Sequence, residues 1–362
     1  MPNWSGGIDR LFESINDAQG DGFRISTFNT HGRSLRGLSI LPFGLVYYTS
    51  ALAYTLLLPF RLVYFAALCA AGRIDLCHVN LSTGASTIRK ALFAMICRLF
   101  RVKYVVHLHG GDYRRFFAGL PRPLQNLART LYRRADRIIV LGSLWQDYVV
   151  QEIGVAPDRI VVLPNAVLGP GEIDSSKKLS PPRIAFLGRL TEAKGADEIV
   201  QALSDPRVSS RDWTAVLAGD GEIARFRSRL EDLGLAERVA LPGWIESDAV
   251  TELLCESSIF VLPSHFENLP LSMLEAMAHG LCCIVTPVGS VEDVIADGVN
   301  GLVVPVGDAS ALAEALLSVL QDAELRMRLS GAARRDFLSD YDYDDYRGKL
   351  ASIYTSVLDA RG

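Results

Sequence analysis

Two carboxylates, Glu267 and Glu275, stand with seven residues between them in the stretch Ser264-His265-Phe266-Glu267-Asn268-Leu269-Pro270-Leu271-Ser272-Met273-Leu274-Glu275-Ala276. Paired carboxylates can accept hydrogen bonds from neighbouring hydroxyls on a sugar or a ribose. Further up the chain, Arg189 and Lys194 lie five apart in Gly188-Arg189-Leu190-Thr191-Glu192-Ala193-Lys194-Gly195. A guanidinium that grips two oxygens and an ammonium that acts as a point charge can converge on a diphosphate. Isolated charges of these kinds are usually only solvated. The elements around them therefore decide the reading.

Ile259-Phe260-Val261-Leu262 reads as a buried parallel strand ended by Pro263. Pro270 suits the first turn of a helix, where a missing N–H costs nothing. Gly280 suits the position just past that helix, and Cys282-Cys283-Ile284-Val285 reads as the next strand. Glu267 then falls in the loop at a strand's carboxyl end, and Glu275 a turn and a half into the helix. Ligands of open α/β sheets bind at that edge. The helix opening near Leu269-Pro270 also presents N–H groups to phosphates or sugar. The Arg189/Lys194 loop likewise follows a strand, Arg183–Leu187, and opens a helix.

The run PSHFENLPLSMLEAMAHG, its continuation CCIVTPVGSVEDVI with Gly289 and Glu292, and the loop GRLTEAKG resemble the donor-site motifs of the retaining, nucleotide-sugar-dependent glycosyltransferases of GT-B fold, the glycosyl transferases group 1. The resemblance covers nearly the whole chain and is strongest from Arg183 to Val304. It implies an α/β protein of two Rossmann-like domains facing across a cleft. It implies that Arg189 and Lys194 stabilise a leaving nucleoside diphosphate electrostatically. Glu275 would hold the ribose and Glu267 the transferred sugar, with Gly6, Gly7, Gly219, Asn268 and Leu269 completing the donor site. Asn268 stands where many relatives carry glycine, which bears on the donor sugar. His109, at a strand end before Gly110-Gly111, resembles the family's His-Gly position facing that sugar, although a histidine on an apolar strand is as readily structural. Asp112 is a weaker candidate for an acceptor-side base. The catalytic set is thus Arg189, Lys194, Glu267 and His109. With no carboxylate placed as a nucleophile, front-side displacement assisted by the leaving phosphate is expected, as proposed for the family. Polysaccharide assembly at the cell surface is the expected setting.

The 362 residues suggest two domains, and 49% hydrophobic with 22% charged residues permits large cores. We expect an acceptor-binding domain at 1–167, a Gly/Ser/Pro-rich linker at 168–182, and a nucleotide-sugar domain at 183–340. A terminal helix at 341–362 should cross back onto the first domain. The five residues before Gly6-Gly7 are too few for the family's opening strand, which we expect to be missing. The net charge of −4 conceals a basic first half, +9 up to Asn165, and an acidic second half, −13 from Ala166. Seven arginines lie between Tyr113 and Arg137, interleaved with Phe116, Phe117, Leu120 and Tyr132. Such a surface suits anionic headgroups or a lipid-linked acceptor better than nucleic acid, whose motifs are absent.

Leu38 to Phe60 carries no charge, and the apolar character continues to Gly72. Pro42, Gly44, Pro59 and the polar residues favour core helices on the first sheet, or a helix lying on a membrane, over a span. The six cysteines show no disulfide or zinc spacing, and no signal peptide opens the chain. A cytoplasmic protein, at the inner face of the membrane, is expected. No metal cofactor is expected either. Asp340-Tyr341-Asp342 is a D-x-D, but it precedes the terminal helix, where acids suit the helix start. Three other readings remain open. One is a sugar-nucleotide epimerase of the same fold, and another is a catalytically impaired sugar-nucleotide-binding protein. The third is a dinucleotide enzyme, since Gly219-Asp220-Gly221-Glu222-Ile223-Ala224 fits G-x-G-x-x-A. That fingerprint belongs after the first strand of its domain, whereas here it follows the second.

Overall fold

The computed structural model of the chain describes residues 43–174, 178 and 180–360, with backbone alone for 43–56 and Ala85. Gly6 and Gly7 lie outside the described residues, as does the start of the Leu38–Phe60 run. The chain forms two compact units, each discontinuous in sequence. One takes the described residues up to Val140, Gln146–Val162 and the tail from Lys349; the other takes Leu141–Trp145 and Leu163–Gly348.

Among the described residues, the first unit begins with helix α1, Phe43–Ala70. Four strands follow: β1 Leu76–Leu81, β2 Lys103–Leu108, β3 Arg137–Val140 and β4 Ile160–Val162. They pair in that order, all in parallel. Between them lie α2 Ala85–Leu99, α3 Tyr113–Ala118 and α4 Arg122–Arg133. Parallel strands covered on both faces read as continuous apolar runs, and the sequence YVV of β2 and IIV of β3 does so. The described part of the apolar run is one long helix. Pro59 lies inside it, where it removes one backbone hydrogen bond. Among the described side chains of this helix, from Leu57 onward, one face is core. Phe65 and Cys69 are buried, and the Phe65 ring meets Phe93 of α2 edge-on at 5.1 Å. The opposite face carries Phe60, which is 73% exposed, with Leu57, Val63 and Tyr64. Among the described residues no helix is long and apolar enough to cross a membrane.

The second unit contains six parallel strands: β5 Arg183–Leu187, β6 Thr214–Ala218, β7 Val239–Gly243, β8 Ile259–Leu262, β9 Cys282–Val285 and β10 Leu302–Val303. Their spatial order is β10-β9-β8-β5-β6-β7. The chain therefore builds outward from β5 through β6 to β7, then returns to the other side of β5 with β8. This is the doubly wound order, and its switch point lies between β5 and β8. Helices α5 Ala196–Ser204, α6 Ile223–Asp232, α7 Ser247–Glu256, α8 Leu271–Ala278, α9 Ala309–Gln321 and α10 Ala323–Asp340 cover the sheet. Phe186, Trp213, Phe226, Phe260 and Phe337 fill the core between these layers.

The last helix, α11, runs from Tyr343 to Asp359 with Asp344 and Asp345 in its first turn, where carboxylates favour the helix dipole. From Lys349 onward it belongs to the first unit. Leu350, Ile353, Tyr354 and Val357 are buried there, and the Tyr354 hydroxyl lies 2.7 Å from His78 Nδ1.

Candidate active site

Because β5 and β8 are neighbours, the loops that follow them leave the same sheet edge side by side. The first is the Gly188–Gly195 turn, which ends in a short 3-10 turn at Glu192–Lys194. The second is Pro263–Pro270. Several contacts tie the two together. The His265 N–H donates to the Ala193 carbonyl at 3.0 Å. The His265 Nε2 meets Glu198 Oε1, on α5, at 2.8 Å. Gly195 has φ +69° and packs on the second loop; a Cβ there would lie 2.1 Å from the Pro263 carbonyl oxygen. Across this seam the Lys194 ammonium pairs directly with the Glu267 carboxylate. The Ser264 hydroxyl donates to the same carboxylate oxygen at 2.9 Å, and Thr286 holds the Ser264 carbonyl at 2.5 Å. The Glu267 side chain is only 11% exposed, so the pair is shielded more than a surface ion pair.

Arg189 is placed differently. Its side chain is 64% exposed, and its Nε donates to Asp220 Oδ1 at 3.1 Å, in the loop after β6. The backbone of that loop approaches closely, since Leu190 N–H donates to the Asp220 carbonyl at 2.7 Å. The two glycines of the G-x-G make this possible. Gly219 (φ +149°) and Gly221 (φ +121°) would place a Cβ 1.8 Å from the Gly188 oxygen and 2.4 Å from the Leu190 oxygen. Here the glycine pattern serves the approach of one loop to another, after the second strand of the sheet.

Glu275 lies in the second turn of α8 and is half-buried; its carbonyl accepts the His279 N–H at 3.1 Å. The mouth of that helix is held by three contacts. The Asn268 carbonyl accepts from Ser290 N–H at 2.6 Å, the Leu269 carbonyl accepts from Asn165 Nδ2 at 2.8 Å, and Gly289 (φ +61°) lies against both the Glu267 and Asn268 carbonyls. Asn268 and Leu269 are buried. The sheet edge thus joins Lys194 to Glu267 directly, and places Arg189 and Glu275 on the loops and helix beside them. Asn165, Glu198, Asp220, Ser264, His265 and Thr286 escaped the sequence reading as site residues. Ser264 and His265 lie inside the donor-site run quoted above and Asp220 inside the G-x-G, but none of them was given a role of its own.

In the first unit, β2 ends at the fully buried His107-Leu108, followed by His109, which is 6% exposed. The rings of His107 and His109 lie 3.9 Å apart, and those of His78 and His107 5.3 Å apart. The Asn80 Oδ1 oxygen is 3.3 Å from His109 Nε2 and 3.0 Å from His78 Nε2. An amide oxygen only accepts, so both histidines donate from Nε2. Burial, reinforced by His78 and the Lys90 ammonium, pushes His109 down to about 3. Burial lowers His78 to about 4. His109 is therefore neutral at pH 7, and its ring belongs to an inward-facing histidine cluster. Beside it, at the carboxyl edge of β1 and β2, Thr83, Gly84, Asp112, Arg115, Phe116, Gly119 and Leu120 line an open pocket of about 510 Å³. Among the described residues no group of His, Cys, Asp and Glu side chains is arranged to hold a metal ion.

Residues 172–336 match the family model for glycosyl transferases group 1, and residues 17–166 match that for the glycosyl transferase 4-like domain. The chain is 30% identical over 286 residues to the alpha-D-kanosaminyltransferase of Streptomyces kanamyceticus, covering 73% of each protein. It is 30% identical over 297 residues to the N-acetyl-alpha-D-glucosaminyl L-malate synthase of Bacillus anthracis, covering 79% of this chain and 75% of that one. Among solved structures, the sucrose-phosphate synthase of Thermosynechococcus elongatus superposes with a TM-score of 0.73 at 17% identity, covering 98% of this chain and 94% of that one. Anabaena HepE in complex with UDP superposes with a TM-score of 0.68 at 19% identity, covering 82% of each. With two parallel-sheet units of GT-B fold and these relatives, the chain belongs to the glycosyl transferases group 1 family and is a glycosyltransferase.

Proposed function

We propose that this glycosyltransferase moves a sugar from a nucleoside-diphosphate sugar to an acceptor hydroxyl with retention of anomeric configuration. The observation that carries the reading is the Lys194–Glu267 contact at the switch point of a doubly wound sheet. There, one cation suited to a diphosphate and one carboxylate suited to sugar hydroxyls share a single seam. Residues 183–340 are assigned to the donor and 1–167 to the acceptor. The Arg189 guanidinium and the Lys194 ammonium offset the charge that develops on the departing diphosphate. Glu275 accepts from the ribose hydroxyls and Glu267 from the sugar. Front-side attack, with the leaving phosphate taking the acceptor's proton, requires no enzymic nucleophile and no metal.

For the acceptor, the pocket beside Asp112 and Arg115 combines both charges with Phe116 and Leu120. This suits a saccharide linked to a lipid. The exposed apolar face of α1 and the arginines of the first unit suit a site of action at the inner face of a membrane.

The test is release of nucleoside diphosphate from a panel of sugar nucleotides, with and without lipid-linked acceptors. UDP-glucose is an early choice, because a solved neighbour of this fold was crystallised with it. Release that depends on acceptor, with the product's anomeric configuration matching the donor's, is expected. Release without acceptor would favour the epimerase reading, and binding without turnover an impaired protein.

A further inference from the structure

We propose that the Lys194–Glu267 pair makes the site discriminate the sugar nucleotide from the spent nucleoside diphosphate. The inference rests on the donor reading above and adds a role that it does not contain. The two groups assigned to different halves of one donor are within bonding reach of each other and pair directly. They cannot keep that bond and serve the donor fully, because a carboxylate on the ammonium competes with the diphosphate oxygens for the same positive charge. A complete donor meets both demands at once. Its diphosphate takes Lys194, and its sugar hydroxyls donate to the Glu267 that Lys194 has left. After transfer the sugar has gone, while the diphosphate still holds Lys194. Glu267 then faces the seam with the Ser264 hydroxyl as its one donor and no cation, and a buried carboxylate without a counter-charge is costly. Its return to Lys194 expels the product.

The surroundings fit an exchange of side chains on fixed loops. Glu267 keeps one donor in either state, the Ser264 hydroxyl at 2.9 Å. The His265–Glu198 contact at 2.8 Å and the His265 N–H to Ala193 carbonyl bond at 3.0 Å hold the two loops together whichever partner Lys194 has. Gly195 packed on Pro263 fixes the same seam. The exchange then requires movement of the two long side chains alone.

The expected result runs against the usual effect of removing a site residue. Glu267→Gln keeps the shape and can keep the Ser264 contact, but it no longer competes for the ammonium. By titration calorimetry with UDP and with GDP, whichever nucleotide the wild type binds should bind Glu267→Gln about three- to tenfold more tightly, the range expected for loss of one partly shielded ion pair. The matching sugar nucleotide should bind less tightly, and turnover should fall. In a Lys194→Met background, Glu267→Gln should leave diphosphate affinity unchanged, since the competition acts through the ammonium. Weaker or unchanged diphosphate binding by Glu267→Gln overturns the proposal and leaves Glu267 as a support for Lys194. If the wild type binds neither diphosphate nor any sugar nucleotide, the donor reading itself falls. Thermal unfolding of each variant, matched to wild type, shows that the comparison is made on folded protein.

Discussion

At the scale of single residues, the second unit shows how much of a site is backbone geometry. Gly195 is the clearest case. Its φ of +69° already disfavours any side chain, and the Pro263 carbonyl occupies the space a Cβ would need. Gly195→Ala is expected to destabilise the protein by about 2 kcal/mol or more, from strain plus the forced shift of a loop. It should also lower transfer, because Lys194 precedes it and His265 lies across the seam. Urea denaturation and kcat/KM check the two effects separately. Glu275 tests the ribose assignment. Glu275→Ala should weaken binding of the nucleoside diphosphate roughly tenfold, the usual effect of losing hydrogen bonds to a charged group. Unchanged affinity in calorimetry removes Glu275 from the site. The charges and glycines of this site were legible because their spacing was informative. Asn165, Glu198 and Asp220 were not, because a polar residue that braces a loop from a distant element has no local pattern to betray it.

At the scale of elements, α1 is where pattern alone was insufficient. A charge-free run is compatible with a core helix, a bilayer span or a helix on a surface, and periodicity does not separate them. The structure leaves Leu57, Phe60, Val63 and Tyr64 outward while Phe65 and Cys69 face inward. Leu99 and Met95 of α2 are exposed as well, and no acidic residue occurs between Phe43 and Arg73. If this face meets an anionic membrane, as proposed, the chain should float with phosphatidylglycerol-containing vesicles at low salt. Phe60→Ser combined with Val63→Ser should then reduce flotation at least tenfold, since burying each side chain is worth about 1.5–3 kcal/mol. Failure of the unaltered protein to float rejects the membrane part of the proposal.

At the scale of the whole molecule, the tail and the histidine cluster bear on the stability of the first unit. The end of α11 buries Leu350, Tyr354 and Val357 there, and the Tyr354 hydroxyl reaches His78. Removing residues 349–362 should lower the unfolding temperature of the first unit and leave that of the second nearly unchanged, which scanning calorimetry can separate. Acid should act on the same unit. His78, at about 4, and His109, at about 3, both lie below the ordinary histidine value of about 6.5. His107 is also lowered, chiefly by burial. Between those values the unfolded chain binds more protons than the folded one, so stability falls as the pH is lowered. Their contribution is complete above about pH 6.5 and is lost progressively towards pH 3. His78→Asn should flatten the dependence of unfolding temperature on pH between 7 and 4.

The sequence by itself determined the alternation of strand and helix in each half, the loops that carry Arg189, Lys194 and Glu267, and the family these motifs mark. Local patterns suffice for that, since strand runs, helix starts and glycine turns are set by neighbours along the chain. Which loops meet was decided only in three dimensions. Ile184 and Ala185 of β5 register with Ile259 and Phe260 of β8, although the whole β6–β7 arm intervenes in the chain. That pairing, enforced by burial of both strands in one sheet, brings the ammonium of one loop onto the carboxylate of another. It also sends Arg189 to Asp220 instead, because β6 flanks β5 on its other side.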